Sequence, residues 1–135
     1  MSGHKILIAD DDPMMTSILS ATLGTRGYTV AVARDAMQAV MFAVQQQPDL
    51  VLLDINMPAG TGLGAIKRLK ASARTSSIPV VVVSGSSDLT LPATVRAEGA
   101  KAFFRKPVDL DALCVRLEEI LKERPTDGKN TPSAT

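Results

Sequence analysis

The sequence predicts an α/β protein in which helices cover both faces of a five-stranded parallel sheet. Five short apolar runs alternate with five helical patterns along the 135 residues. The runs around Ile6, Leu50 and Val80 are apolar on both faces, which is typical of parallel strands buried between helices. This alternation, with right-handed crossovers, favours an open, doubly wound sheet, and we expect the strand order 2-1-3-4-5.

The predicted strands are short and rich in apolar residues. They cover residues 5–9, 28–32, 50–53, 80–83 and 102–104. Between them, the second and third helices are expected over about residues 35–47 and 62–73. The fourth helix is expected to start late and stay short, because Pro92 is tolerated only in a first turn.

The first and last helices have clear boundary signals. Asp12 is a predicted N-cap, Pro13 occupies the first helical position, and Gly27 ends the first helix. Asp109 is predicted to cap the last helix. The predicted buried stripes are Met15, Ile18, Leu19, Thr22 and Leu23 in the first helix, and Leu110, Leu113, Leu117, Ile120 and Leu121 in the last.

Composition limits the function classes. The net charge of +1 gives no overall field to recruit nucleic acid or a membrane surface, and we expect neither partner. No apolar stretch approaches the roughly 18 residues of a membrane span, and no signal peptide is evident, so a cytoplasmic location is expected. The single cysteine, Cys114, fits a reducing compartment and is predicted to be a small buried hydrophobe.

One domain is predicted over residues 1–124. Residues 125–135 (PTDGKNTPSAT) contain no large apolar residue and are expected to form a disordered tail. Whether the chain is free-standing or part of a longer protein is left open. His4 is expected at the surface, and the basic residues of the third helix are expected to form a solvated face. These basic residues are Lys67, Arg68, Lys70 and Arg74.

Charged and hydroxyl side chains follow the predicted strands. Asp10 and Asp11 follow the first strand, Asp54 the third, Ser84 the fourth and Lys106 the fifth. Because sites in doubly wound sheets lie outside the carboxyl ends of the strands, we expect these groups to meet. Clustered carboxylates need a cation, and Mg²⁺ suits a site made of oxygen ligands. The set could hold a phosphoryl group, with the Asp54 carboxylate as its nucleophile.

Four sequence segments closely resemble the receiver domain of bacterial response regulators. They are KILIADDDP, LVLLDINMPAGTGL, IPVVVVSG and GAKAFFRKPV, and the resemblance covers residues 4–124 in the usual spacing of the family. It implies a flavodoxin-like receiver fold and a role in two-component signalling. A histidine kinase or a histidine phosphotransfer protein would then donate the phosphoryl group.

The resemblance assigns a role to each site residue. Asp54 is the implied phosphoacceptor, Asp10 and Asp11 place Mg²⁺ with Asp11 favoured as a direct ligand, and the backbone carbonyl of Asn56 completes the protein's metal ligands. Ser84 would bond the phosphoryl oxygen, and Lys106 would pair with it. The remaining implied features are a cis bond before Pro107 and two positions that flank the hydrolysing water, Asn56 and Ser86.

Signalling in this family depends on an aromatic switch residue, which here is Phe103. The commoner residue is tyrosine, so Phe103 has no hydroxyl and its coupling to Ser84 is expected to depend on packing alone. Gly85 and Pro92 are further departures close to the switch. The implied surface for a downstream partner is formed by the fourth helix, the fifth strand and the fifth helix.

Two other functions remain open from the sequence. An aspartyl-phosphate hydrolase usually has a second aspartate two residues after the nucleophile, and Asn56 occupies that position. A receiver-fold scaffold would signal by protein binding alone, without phosphorylation. Whether the chain counts as an enzyme is also left open, because a receiver catalyses only its own phosphorylation and dephosphorylation.

Overall fold

The computed structural model describes residues 3–56 and 61–123, which form five strands and five helices. The strands are β1 Lys5–Ala9, β2 Thr29–Ala33, β3 Leu50–Asp54, β4 Val80–Ser84 and β5 Ala102–Arg105. The helices are α1 Pro13–Thr25, α2 Ala36–Gln46, α3 Gly62–Ala71, α4 Leu91–Ala97 and α5 Leu110–Lys122. The predicted tail, residues 125–135, lies outside the described residues. Within the described ranges, no helix is both long and apolar enough to cross a membrane.

The strands form one parallel sheet in the order β2-β1-β3-β4-β5. This order confirms the predicted topology and makes β1 and β3 direct neighbours. Alternate residues of each strand face opposite sides of the sheet. Thus Val51 and Leu53 pack in an apolar cluster with α2, α3 and α4, whereas Leu50 and Leu52 pack in another with α1 and α5.

Local hydrogen bonds explain the helix boundaries. The Asp12 side chain accepts from the Met14 backbone N–H at the start of α1, and Asp109 accepts from the Ala112 N–H at the start of α5. Pro92 lies in the first turn of α4, which has only seven residues, so the expectation of a short helix is confirmed.

Several predicted boundaries and faces are wrong by small amounts. The second strand begins at Thr29 because the Tyr28 N–H still bonds to the Leu23 carbonyl at the end of α1. The third helix ends at Ala71, where Ser72 leaves the helical conformation and a turn follows. Ile18 is 44% exposed, and Thr16 takes a buried place on α1 instead.

Candidate functional site

The carboxyl ends of four strands bring the predicted residues to one edge of the sheet. Asp10 directly follows β1, and Asp54 is the last residue of the neighbouring β3. The register pairs Ala9 with Leu53, so these two aspartates come to adjacent positions. Ser84 ends β4 and Lys106 follows β5, and the Lys106 backbone N–H donates to the Ser84 carbonyl at 2.8 Å.

Three carboxylates form an acidic cluster at this edge. Asp10, Asp11 and Asp54 each offer one oxygen, and the three oxygens lie within 4.8 Å of one another. Asp10 and Asp54 are buried, whereas Asp11 is exposed. Asp10 accepts the Asp12 backbone N–H at 2.9 Å, and Asp54 accepts the Asn56 N–H at 3.1 Å. Backbone donors therefore orient both buried carboxylates.

Lys106 is the cation of the cluster. Its Nζ lies 3.2 Å from Asp10 Oδ2 and 3.4 Å from Asp54 Oδ2. Burial by itself lowers the pKa of Lys106, but the carboxylates of Asp54 and Asp10 outweigh burial, so its pKa is raised. The ammonium therefore stays charged between the two aspartates. The bond from Lys106 to Pro107 is cis.

The pKa of Asp10 is also raised, but here burial is the main cause. Desolvation raises its pKa, the Asp12 N–H opposes this effect, and the nearby charge of Asp54 adds to it. One ammonium pairs with two buried carboxylates, and a third, exposed carboxylate lies beside them. A set of hard oxygen donors with excess negative charge is suited to Mg²⁺. The residues present therefore fit the metal that the sequence predicted.

Ser84 is fully buried at the end of β4. Its Oγ accepts the Ser86 backbone N–H at 3.1 Å, so the hydroxyl also shapes the loop that follows the strand. Asn56 and Ser86 line the same cavity of about 350 Å³. These are the two positions predicted to flank a hydrolysing water, and both border the same solvent-accessible space.

Phe103 lies on β5 and is half-buried, packed against the apolar cluster that contains α4. The guanidinium of Arg105 lies 5.2 Å from the centre of its ring. Sequence reasoning missed Arg105. Positions 103 and 105 share one face of a strand, and this spacing could have indicated the contact.

Other residues lie away from this edge. The prediction that His4 is a surface residue is wrong, because it is only 8% exposed at the start of β1. Cys114 is buried, as predicted, and its burial raises the pKa of the thiol. Both line a cavity of about 430 Å³ between α5 and the segment that joins α1 to β2.

The fold and the acidic edge define a class of signalling domains, and comparison with known proteins identifies it. The family described as "Response regulator receiver domain" matches residues 6–118. The chain therefore belongs to the response regulator receiver family, and its function lies in two-component signal transduction.

Two relatives that match this chain differ in their own length. Protein PilH of Pseudomonas aeruginosa is 36% identical over 117 residues, which cover 87% of this chain and 97% of PilH. The DNA-binding dual master transcriptional regulator RpaA of Synechocystis is 33% identical over 118 residues, which cover 87% of this chain but only 49% of RpaA.

Solved receiver structures share the fold. The BeF₃-activated receiver domain of RstA from Klebsiella pneumoniae has a TM-score of 0.81 at 26% identity, covering 87% of this chain and 98% of that one. The receiver domain of the histidine kinase PA1611 from Pseudomonas aeruginosa, described with magnesium in its active site cleft, has a TM-score of 0.82 at 24% identity. That match covers 89% of this chain and 98% of the PA1611 domain.

Proposed function

We propose that this receiver accepts a phosphoryl group on Asp54. The observation that carries the proposal is the pairing of a buried strand-end carboxylate with the Lys106 ammonium inside an acidic cluster. A carboxylate oxygen of Asp54 would bond to phosphorus while the bond from phosphorus to the donor group breaks. The donor group would leave with the electron pair, and Asp54 would become an acyl phosphate.

The surrounding residues would have separate roles in this reaction. Lys106 would pair with the added phosphoryl charge, and the Ser84 hydroxyl would donate a hydrogen bond to a phosphoryl oxygen. Asp10, Asp11, Asp54 and the Asn56 carbonyl would hold Mg²⁺. When bound, Mg²⁺ supplies positive charge against the phosphoryl oxygens. Asn56 and Ser86 are small and polar, so they would give water access to the acyl phosphate.

Membership of the family implies interaction with histidine kinases or phosphotransfer proteins and with downstream partners. We assign downstream binding to the surface formed by α4, β5 and α5. Leu89, just before α4, and Val115, on α5, are exposed apolar residues that such a partner could cover. We also propose that residues 1–124 form the functional domain and that nucleic acid is not among its direct partners.

Intact-mass measurement after incubation with acetyl phosphate tests the proposal. We expect one added phosphoryl group that requires Mg²⁺ and is absent from Asp54→Asn. Asp111→Asn is the matched control, because Asp111 has a 94% exposed side chain on α5. No adduct on the wild-type chain, under conditions that label another receiver, would instead favour a scaffold that signals without phosphorylation.

A further inference from the structure

The loop between β4 and α4 contains an ordered series of hydrogen bonds. The Ser86 N–H donates to Ser84 Oγ at 3.1 Å, and the Asp88 N–H donates to Ser86 Oγ at 3.1 Å. The Asp88 carbonyl then accepts from Arg105 Nη2 at 3.4 Å. We call Ser84, Ser86, Asp88 and Arg105 the polar chain. It begins at the buried hydroxyl of the site and ends on β5.

The far end of the polar chain lies on Phe103. The Arg105 guanidinium lies 5.2 Å from the centre of the Phe103 ring, a distance at which a cation is attracted to an aromatic face. In the sheet register, Arg105 pairs with Ser84 and Phe103 with Val82. The guanidinium therefore contacts both the Asp88 carbonyl of the loop and the ring of Phe103.

Arg105 also has an unused donor. Among the described residues, its Nη1 is buried and has no hydrogen-bond acceptor. A buried donor without a partner is costly, so a rearrangement that brings an acceptor to it would be favoured. The carbonyl groups of the β4–α4 loop are candidates, since the Asp88 carbonyl already accepts from the other terminal nitrogen of the same guanidinium.

The same loop is linked to α4. One oxygen of the Asp88 carboxylate accepts both the Thr90 N–H at 2.8 Å and the Thr90 hydroxyl at 2.7 Å, next to the first helical residue, Leu91. A displacement of Asp88 would therefore change hydrogen bonds at the start of α4 as well as at Arg105.

We propose that the polar chain couples Ser84 to Phe103, with Arg105 as the positioning residue that replaces the missing tyrosine hydroxyl. This inference rests on the proposed function, because phosphorylation of Asp54 is what would move Ser84. As Ser84 turns towards the phosphoryl group, its bond to the Ser86 N–H is lost and the loop shifts. Arg105 follows Asp88, and the Phe103 ring follows the guanidinium.

Fluorine NMR can follow the ring directly. The chain contains three phenylalanines, so incorporation of 4-fluorophenylalanine gives three signals, which single Phe→Leu variants would assign. Phe42 on α2 serves as the internal reference. BeF₃⁻ with Mg²⁺ serves as the phosphoryl mimic, as in the activated RstA receiver. The signal of bound BeF₃⁻ reports loading of the site in the same spectrum.

In the wild-type chain, we expect loading to shift the Phe103 signal. In Arg105→Met and Arg105→Gln, which both remove the guanidinium, we expect the site to load while the Phe103 shift becomes at least about fivefold smaller. Arg96→Met is the matched control and Ser87→Ala a second one, because both residues are exposed and lie outside the polar chain, and both variants should respond like the wild type.

The outcomes separate the coupling from the chemistry. A full Phe103 shift in both Arg105→Met and Arg105→Gln would overturn the inference, since the ring would then move by packing alone. A wild-type chain that loads without any Phe103 shift would also overturn it and leave the proposed function intact. A wild-type chain that neither binds BeF₃⁻ nor accepts a phosphoryl group would contradict both. If Arg105→Met unfolds, Arg105→Gln decides alone.

Discussion

At the scale of single residues, the clustered carboxylates of the site destabilise the folded protein. Asp10 is only 3% exposed, and it shares one ammonium with Asp54 at distances of 3.2 and 3.4 Å from Lys106 Nζ. Desolvation and the neighbouring carboxylate both disfavour an ionised Asp10 in the folded state. The site therefore holds unfavourable electrostatic energy that a divalent cation would relieve.

Removal of the Asp10 charge should stabilise the fold. In EDTA at pH 7, we expect Asp10→Asn to raise the free energy of unfolding by about 1 kcal/mol, while its oxygen still accepts the Asp12 N–H. Because folding raises the pKa of Asp10, the ionised group costs stability above that pKa. The gain should therefore shrink as pH falls towards the unfolded value of 3.8. Urea denaturation across this pH range measures it, and a less stable variant at pH 7 would contradict it.

Removal of the Lys106 charge should have the opposite effect. Lys106→Met leaves two buried carboxylates without their cation, so we expect a loss of about 2 kcal/mol at pH 7. Folding raises the pKa of Lys106, so its contribution is complete below the unfolded value of 10.5 and disappears as pH rises through the folded pKa. Denaturation of Lys106→Met beside Lys101→Met, an exposed control, measures the loss. Equal stability of the two variants at pH 7 would refute the account.

At the scale of elements, the start of α3 depends on the absence of a side chain. Gly62 donates its N–H to the Ile55 carbonyl at 3.1 Å, directly after β3. A Cβ at position 62 would lie 2.5 Å from the Ile55 Cα and carbonyl oxygen, which are backbone atoms that cannot rotate away. Gly62 therefore fixes the first turn of α3 against the residue that follows Asp54.

Two glycine substitutions separate this steric effect from helix propensity. We expect Gly62→Ala to lower stability by at least about 2 kcal/mol, because the backbone must shift. Gly24→Ala has open space within 4 Å on α1 and should raise stability by up to about 1 kcal/mol. Thermal unfolding of both variants tests the pair. A tolerated alanine at position 62 would show that the close contact has no structural role.

The elements also show what the sequence could and could not predict. Strands β1, β3 and β4 were predictable because they are apolar on both faces, and the caps Asp12 and Asp109 were predictable from their position. The exposure of Ile18 was not predictable, because α1 contacts the sheet through a narrower face than its apolar pattern suggests. His4 was missed because burial at a strand start depends on how α5 and the segment after α1 pack around it.

The candidate site, too, was predictable only in part. Order and spacing of the strand ends predicted that Asp10, Asp54 and Lys106 would meet, and the structure brings them within hydrogen-bond distance. The polar chain was not predicted, because it depends on how loop 85–90 folds back on Arg105. Such contacts between a loop and a strand have no periodic signature in sequence.

At the scale of the whole molecule, the sheet lies between two apolar clusters, and the acidic site lies at the carboxyl edge of its strands. A ligand that binds this edge only in the folded chain must stabilise the whole domain. The site residues come from widely separated parts of the sequence, so unfolding destroys the site.

Magnesium should therefore raise the thermal stability of the chain. At a Mg²⁺ concentration about 100 times its dissociation constant, we expect a gain of about 2.7 kcal/mol over the EDTA-treated protein. Asp54→Asn should lose most of this gain, whereas Asp111→Asn should keep it. Calorimetry with and without Mg²⁺ checks the prediction. An equal gain in the wild type and in Asp54→Asn would place the bound ion elsewhere.

Peptide mapping of the phosphorylated chain tests the central claim most directly. Borohydride reduces an aspartyl phosphate to homoserine, so treatment after incubation with acetyl phosphate marks the acceptor permanently. We predict homoserine at position 54, dependent on Mg²⁺, with Asp10 and Asp11 unchanged. Homoserine at position 10 or 11, with Asp54 intact, would contradict the assignment of Asp54 as the phosphoacceptor.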